Sequence, residues 1–119
     1  MGQHFHHMGP FGAGMQAKVL NNLLAAGSTA MTRLVLDWAD QAGLDETALL
    51  NLIATSSGQN WFASGYDKIE FARDGYSEDN TIGILVKDVN SALDSAPDGA
   101  DTSLPETVRD LIRDLKPRR

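Results

Sequence analysis

A chain of 119 residues, 42% apolar and 22% charged, suits one soluble globular domain with a core of its own. Its net charge of −6 argues against a nucleic-acid binder, which presents a basic face. It has no cysteine, which excludes a disulfide framework, a thiolate nucleophile and a cysteine metal site.

No apolar run reaches the roughly 18–20 residues of a membrane span, and the N-terminus lacks the features of a secretory leader. A cytoplasmic protein is the expectation. Residues 1–10 read as an N-terminal linker and residues 11–119 as one helical domain. The linker holds every histidine, His4, His6 and His7. His-x-His-His can bind a transition metal weakly, but no acidic or cysteine partner lies near it, so no metal site is assigned.

Gly12-Ala13-Gly14 then leads into the stretch on which the rest of the chain is organised. Met15, Val19, Leu23 and Ala26 recur at the period of a packed helix face. The helix is predicted from between Gly12 and Met15 to about Ala42, some 45 Å at about 1.5 Å per residue. Apolar residues cover most of its circumference from Val19 to Leu36, so it is predicted to be central and buried. A bend or a close helix crossing is expected at Gly27-Ser28-Thr29. Lys18 and Asn22 stack one turn apart on a single face. Together they offer a movable proton and an amide that donates and accepts. A substrate oxygen could be held and protonated there; the plainer alternative is a solvated lysine and amide on a core helix.

Gly43 is a helix terminator and Asp45 a cap for a second helix, Glu46 to Ala54, with Leu49, Leu50, Leu52 and Ile53 inward. Ser57 is the predicted cap of a third helix, Gln59 to Tyr66, with Trp61 and Phe62 as core anchors. Asp67 to Asn80 reads as loop. Thr81 to Ala96 forms a fourth helix with Ile82, Leu85, Val86, Val89, Ala92 and Leu93 inward, and Pro97-Asp98-Gly99 breaks it. Ser103 caps a fifth helix, Glu106 to Leu115, with Pro105 in its first turn. Lys116-Pro117-Arg118-Arg119 reads as a solvated, frayed tail. With no strand pair and no repeat, the predicted fold is all-α, a long central helix packed by about four shorter ones.

Four motifs in order carry a resemblance: Gly12-x-Gly14-x-x-x-Lys18-x-x-Asn21-Asn22, Gly43-Leu44-Asp45, Ser56-Ser57-Gly58-x-x-Trp61 and Lys87-Asp88. From about His7 to Ala96 the chain resembles the C-terminal domain of the β-hydroxyacid dehydrogenases, nearest the 3-hydroxyisobutyrate dehydrogenases and the tartronate semialdehyde reductases. 6-Phosphogluconate dehydrogenase is a more distant relative. The resemblance implies an all-α domain that follows a Rossmann domain binding NAD or NADP. It implies Lys18 as the general acid/base, Asn22 as a substrate ligand with Asn21 beside it, and Lys87 and Asp88 on the cofactor side. It also implies a small hydroxy acid or semialdehyde substrate, and a homodimer or higher oligomer built through this domain.

The chemistry agrees with the residues. Oxidising a hydroxy acid needs a base for the hydroxyl proton, and the same group returns it in reduction. The nicotinamide handles the hydride.

The departures are as specific. No Gly-x-Gly-x-x-Gly follows a strand, so the Rossmann unit is missing and the chain is expected to be inactive alone. The family's Ser-Gly-Gly segment is absent, Leu34-Val35 stands where Glu-Ala is usual, and the sequence after Ala96 matches poorly. The rival reading is a helical self-association or binding module without catalysis. A metal-dependent hydrolase built on the N-terminal histidines is a third, weaker idea.

Overall fold

A computed structural model describes residues 13–118, and the linker histidines lie outside them. The described residues form five helices and no strand: α1 (Ala13–Gln41), α2 (Glu46–Ala54), α3 (Trp61–Ser64), α4 (Thr81–Asp94) and α5 (Ser103–Arg113). The fold is all-α, as the periodicity predicts. It measures 50 × 28 × 28 Å, elongated along its central α1.

The core has two parts. In the first, Ala26 and Ala30 of α1 meet Ile82, Leu85, Val86 and Val89 of α4 and Ile112 of α5. Small residues on α1 admit the larger side chains of α4, so the two helices approach closely. In the second, Leu36 packs with Phe62, Tyr66 and Ala72, and Phe62 meets Tyr66 edge to face, centroids 5.7 Å apart.

The burial of α1 is one-sided, contrary to the all-round burial expected from its composition. Leu24, Met31 and Trp38, seven residues apart, are 73%, 60% and 64% exposed. The other helices reach one flank of α1 and leave this stripe open. Gly27 does not sit at a close crossing either, because a Cβ built there meets nothing within 4 Å. The second helix has the expected bounds, with Asp45 accepting from the Ala48 N–H at 2.9 Å. Leu52, expected inward, is exposed.

The third helix is shorter than expected and its cap is Asn60, not Ser57. The Asn60 Oδ1 accepts from the Ala63 N–H at 3.0 Å and its Nδ2 donates to the Gly58 carbonyl at 2.9 Å. This order buries Phe62 and turns Trp61 half out, so only one of the two expected aromatic anchors is one. Asn80 caps α4 in the same manner, accepting from the Gly83 N–H at 3.0 Å. The chain passes so close there that a Cβ on Gly83 would lie 2.2 Å from the Ser77 carbonyl oxygen, and only glycine fits.

The largest correction concerns the tail. Arg118 is buried rather than solvated. Its guanidinium donates to Asp37 at 2.5 Å, Glu46 at 2.6 Å and the Tyr66 hydroxyl at 3.1 Å, and pairs with Asp40 at 2.9 Å. Its backbone N–H donates to the Arg73 carbonyl at 2.8 Å. The periodicity of a helix carries no information on such a contact, since the three carboxylates come from α1 and the start of α2.

Arg118→Ala removes the shared counter-charge of this cluster. Asp37 and Asp40 stay half in water, so the expected cost is about 2–3 kcal/mol, below the full penalty of an orphaned buried charge. Burial alone would push the Glu46 carboxyl up, but hydrogen bonds from Arg118 and Arg73 together hold it below the usual range. A carboxyl depressed in the folded state stabilises above its unfolded pKa, and that contribution fades as pH falls through the lower folded value. Urea midpoints between pH 5 and 3 should therefore fall in the parent protein, and less steeply in Arg118→Ala.

Candidate active site

Where α1, the Gly58–Trp61 turn and α4 converge, an open cavity of about 820 Å³ is lined by Asn21, Asn22, Leu24, Ala25, Ser28, Gln59, Asn60, Trp61, Leu85 and Asp88. Each element brings its polar groups for a local reason. On α1, Asn22 lies on the edge between the stripe packed on α4 and the solvent side, and the Asn21 Nδ2 reaches the Asn22 Oδ1 at 3.5 Å. On α4, Leu85 is buried and Asp88, three residues on, sits half-buried at the next position along the same flank. The turn is fixed by Asn60, whose Oδ1 also accepts from Thr32 of α1 at 3.4 Å.

Lys18 stands one turn before Asn22 and is exposed beside the cavity. Burial pushes the Asp88 carboxyl up, and the positive charge of Lys18 pulls it partly back. The structure thus brings together Asn21, Asn22 and Asp88, with Lys18 at the margin. Lys87 is exposed on α4 and does not line the cavity, because a step of about 100° around the helix separates it from Asp88. Sequence reasoning missed Ser28, Gln59 and Asn60 as neighbours of the site. The Gln59-Asn60 pair just before Trp61 was the available signal, since asparagine is a favoured helix cap.

None of the residues that line the cavity is a lysine or an arginine. Among the described residues no group of three or more histidines or carboxylates is placed to hold a metal ion, and no helix is long and apolar enough to cross a membrane.

The family described as NAD-binding of NADP-dependent 3-hydroxyisobutyrate dehydrogenase matches residues 12–117. The chain belongs to the 3-hydroxyisobutyrate dehydrogenase family. The match continues past Ala96 to the tail, so the sequence after α4 belongs to the family pattern, contrary to the earlier end expected for the resemblance. The chain is similar to the mitochondrial 3-hydroxyisobutyrate dehydrogenase of Rattus norvegicus, 30% identical over 81% of this chain and 30% of the relative. It is also similar to the 3-hydroxyisobutyrate dehydrogenase of Pseudomonas aeruginosa, 32% identical over 94% of this chain and 40% of the relative. The NAD-dependent L-serine dehydrogenase of that organism is 31% identical over 87% of this chain and 37% of the relative. The chain therefore spans only 30–40% of the length of these dehydrogenases. No solved structure matches it.

Proposed function

We propose that this chain is the C-terminal, substrate-side domain of an NAD(P)-dependent dehydrogenase acting on a small hydroxy acid or its semialdehyde. The observation that carries the reading is the pairing of Lys18 and Asn22 on one face of α1, with Asp88 opposite and within reach of the lysine's charge. In this reading Lys18 takes the hydroxyl proton during oxidation and returns it during reduction. The Asn22 amide fixes the reacting oxygen, Asn21 braces Asn22, and Asp88 keeps the lysine aimed at the cavity mouth. Asp88 lies on the cofactor side of the cavity, while Lys87, about 100° further round α4, would reach the cofactor from outside it.

The cavity fits one end of a dinucleotide. Its side-chain amides and the Trp61 ring suit an amide-bearing nicotinamide and a polar substrate. With no cation in its lining, it does not suit a pyrophosphate, which needs a glycine-rich turn or a helix N-terminus supplied by a Rossmann domain. When bound, the nicotinamide supplies the hydride acceptor. A cytoplasmic location belongs to the same reading, as a reducing compartment suits a chain without cysteine.

The chain alone should not turn over NADH or NADPH. Joined to the cofactor domain of a related dehydrogenase, it should oxidise a 3-hydroxy acid. Turnover by the chain alone, or a folded fusion that binds cofactor but acts on no hydroxy acid, would refute the assignment.

A second reading rests on the open stripe of Leu24, Met31 and Trp38. It would serve as the oligomer interface of the enzyme, or of a helical association module without catalysis. Light scattering with Trp38→Glu tests it: a dimer that becomes a monomer supports the interface, and a monomeric parent protein removes it.

A further inference from the structure

One wall of the candidate active site is a turn with little structure of its own. Asn60 and Trp61 line the cavity together with Asn22 and Asp88, yet the helix that Asn60 caps, α3, has only four residues. A helix that short does not stand by itself, so its direction comes from what pins it to the rest of the fold. Phe62 is the first pin, buried in the Leu36 cluster. Trp61 beside it is 52% exposed, and its ring meets Phe62 and Phe71 at tilted centroid distances of 6.1 and 6.4 Å. One pin leaves the turn free to swing about Phe62.

The second pin is Thr32. It is 5% exposed, and its hydroxyl donates to the Asn60 Oδ1 at 3.4 Å. Among the described residues this is the hydrogen bond that joins α1 to residues 58–64. It also fixes the amide. The Oδ1 accepts from Thr32 and from the Ala63 N–H, and the Nδ2 donates to the Gly58 carbonyl, so a reversed amide would set donor against donor and acceptor against acceptor. Thr32 follows Asn21, Ala25 and Ser28 along one flank of α1, at helical spacing, and those three line the cavity. A movement of Asn60 away from Thr32 is therefore a movement of the wall away from the flank that carries the substrate-side amides.

Resting on the dehydrogenase reading above, we infer that Thr32 is a positioning residue of the active site: through the Asn60 amide it sets the Asn60–Trp61 wall at its working distance from Asn22. Thr32 itself touches no substrate. A wall that holds ground state and transition state alike acts on KM and leaves kcat.

Thr32→Val keeps the shape and removes the donor, and Thr32→Ser keeps the donor. Trp38 and Trp61 are the two tryptophans, so Trp38→Phe leaves Trp61 as the single indole of the chain. In that background the emission of Trp61 and its quenching by acrylamide read the wall directly. Thr32→Val should shift the emission and raise the quenching, and Thr32→Ser should show the parent values. Asn60→Ser, still a helix cap but too short to reach Thr32, should give the same shift, and the double variant no more than either single one. In a fusion to a related cofactor domain, Thr32→Val should raise KM for 3-hydroxyisobutyrate about two- to tenfold, the size of one hydrogen bond, with kcat within a factor of about two. A loss of folded protein alone would lower kcat and leave KM.

An unaltered Trp61 signal in Thr32→Val, or an equal shift in Thr32→Ser, overturns the pin. A shifted signal with unchanged KM overturns the role in the site. A parent fusion that acts on no hydroxy acid refutes the dehydrogenase reading instead, and the fluorescence still decides whether Thr32 sets the wall.

Discussion

Arg33→Met should cost about 3–5 kcal/mol of stability, since three backbone carbonyls lose their donor at about 1–3 kcal/mol for each that stays unsatisfied. Arg33 is 1% exposed, in the middle of α1. Its guanidinium donates to the carbonyls of Ala72 at 3.1 Å, Asp74 at 2.7 Å and Lys116 at 2.5 Å. One side chain thus ties the long helix, the loop before α4 and the C-terminal segment together. Its substitution leaves the buried Ala72 carbonyl and the part-buried Asp74 and Lys116 carbonyls short of a donor. Burial lowers the pKa of Arg33 even with Tyr66 and Asp37 near it, so the fold keeps a charge where a charge is costly. The methionine variant fills a similar volume, so the loss reads the hydrogen bonds more than a cavity. A double variant with Arg118→Ala should cost less than the sum of the two, because both arginines anchor the same tail. Urea midpoints of the four proteins close the cycle. Full additivity would show that the arginines act separately.

Both arginines expose where the sequence was legible and where it was not. The first, second and fourth helices could be drawn within two residues, because Gly43, Asp45 and Pro97 punctuate them and the Ile82-to-Ala92 stripe has a clear period. The third could not. Ser57 and Asn60 are both good caps, and the choice between them was made by Phe62, which must point into the Leu36 cluster. The all-round apolar surface of α1 invited a reading of complete burial, yet composition counts residues and cannot count the neighbours that cover them. The tail was misread for a related cause. Arg118 is polar, terminal and next to a proline, every local sign of a loose end, while Asp37, Asp40 and Glu46 that hold it lie some 70–80 residues earlier.

The site divides in the same way. Lys18 and Asn22 were visible because a helix repeats every 3.6 residues, and a pair four apart needs no tertiary knowledge. Asp88 could be named only through the resemblance; its place in the cavity comes from the packing of Leu85 against α1, three residues before it. Lys87 came with it in the motif and parts from it in space. The Gly58–Trp61 wall depends on a bond between Thr32 and Asn60, 28 residues apart, which no spacing rule reports.

In a fusion of this chain to a related cofactor domain, Lys18→Met should lower kcat by about 10²–10⁴-fold, the usual contribution of a positioned general acid or base. KM should change little, since a methionine of similar length leaves the Asn22 amide in place. Asn22→Ala should raise KM and lower kcat together, because the substrate oxygen loses its anchor before and during the reaction. The decisive readout is the pH profile. A base that must lose its proton gives kcat/KM an ascending limb on the acid side in the oxidation direction, and Lys18→Met should flatten it. A residue that served the fold alone would lower the amount of active enzyme and leave the shape of the profile unaltered. Added primary amines supply a further check: a partial return of activity in Lys18→Met, and none in Asn22→Ala, identifies the missing group as a proton carrier. An unchanged profile in Lys18→Met, with kcat within a factor of about three of the parent fusion, a barrier change of under about 1 kcal/mol, would move the general base to another residue.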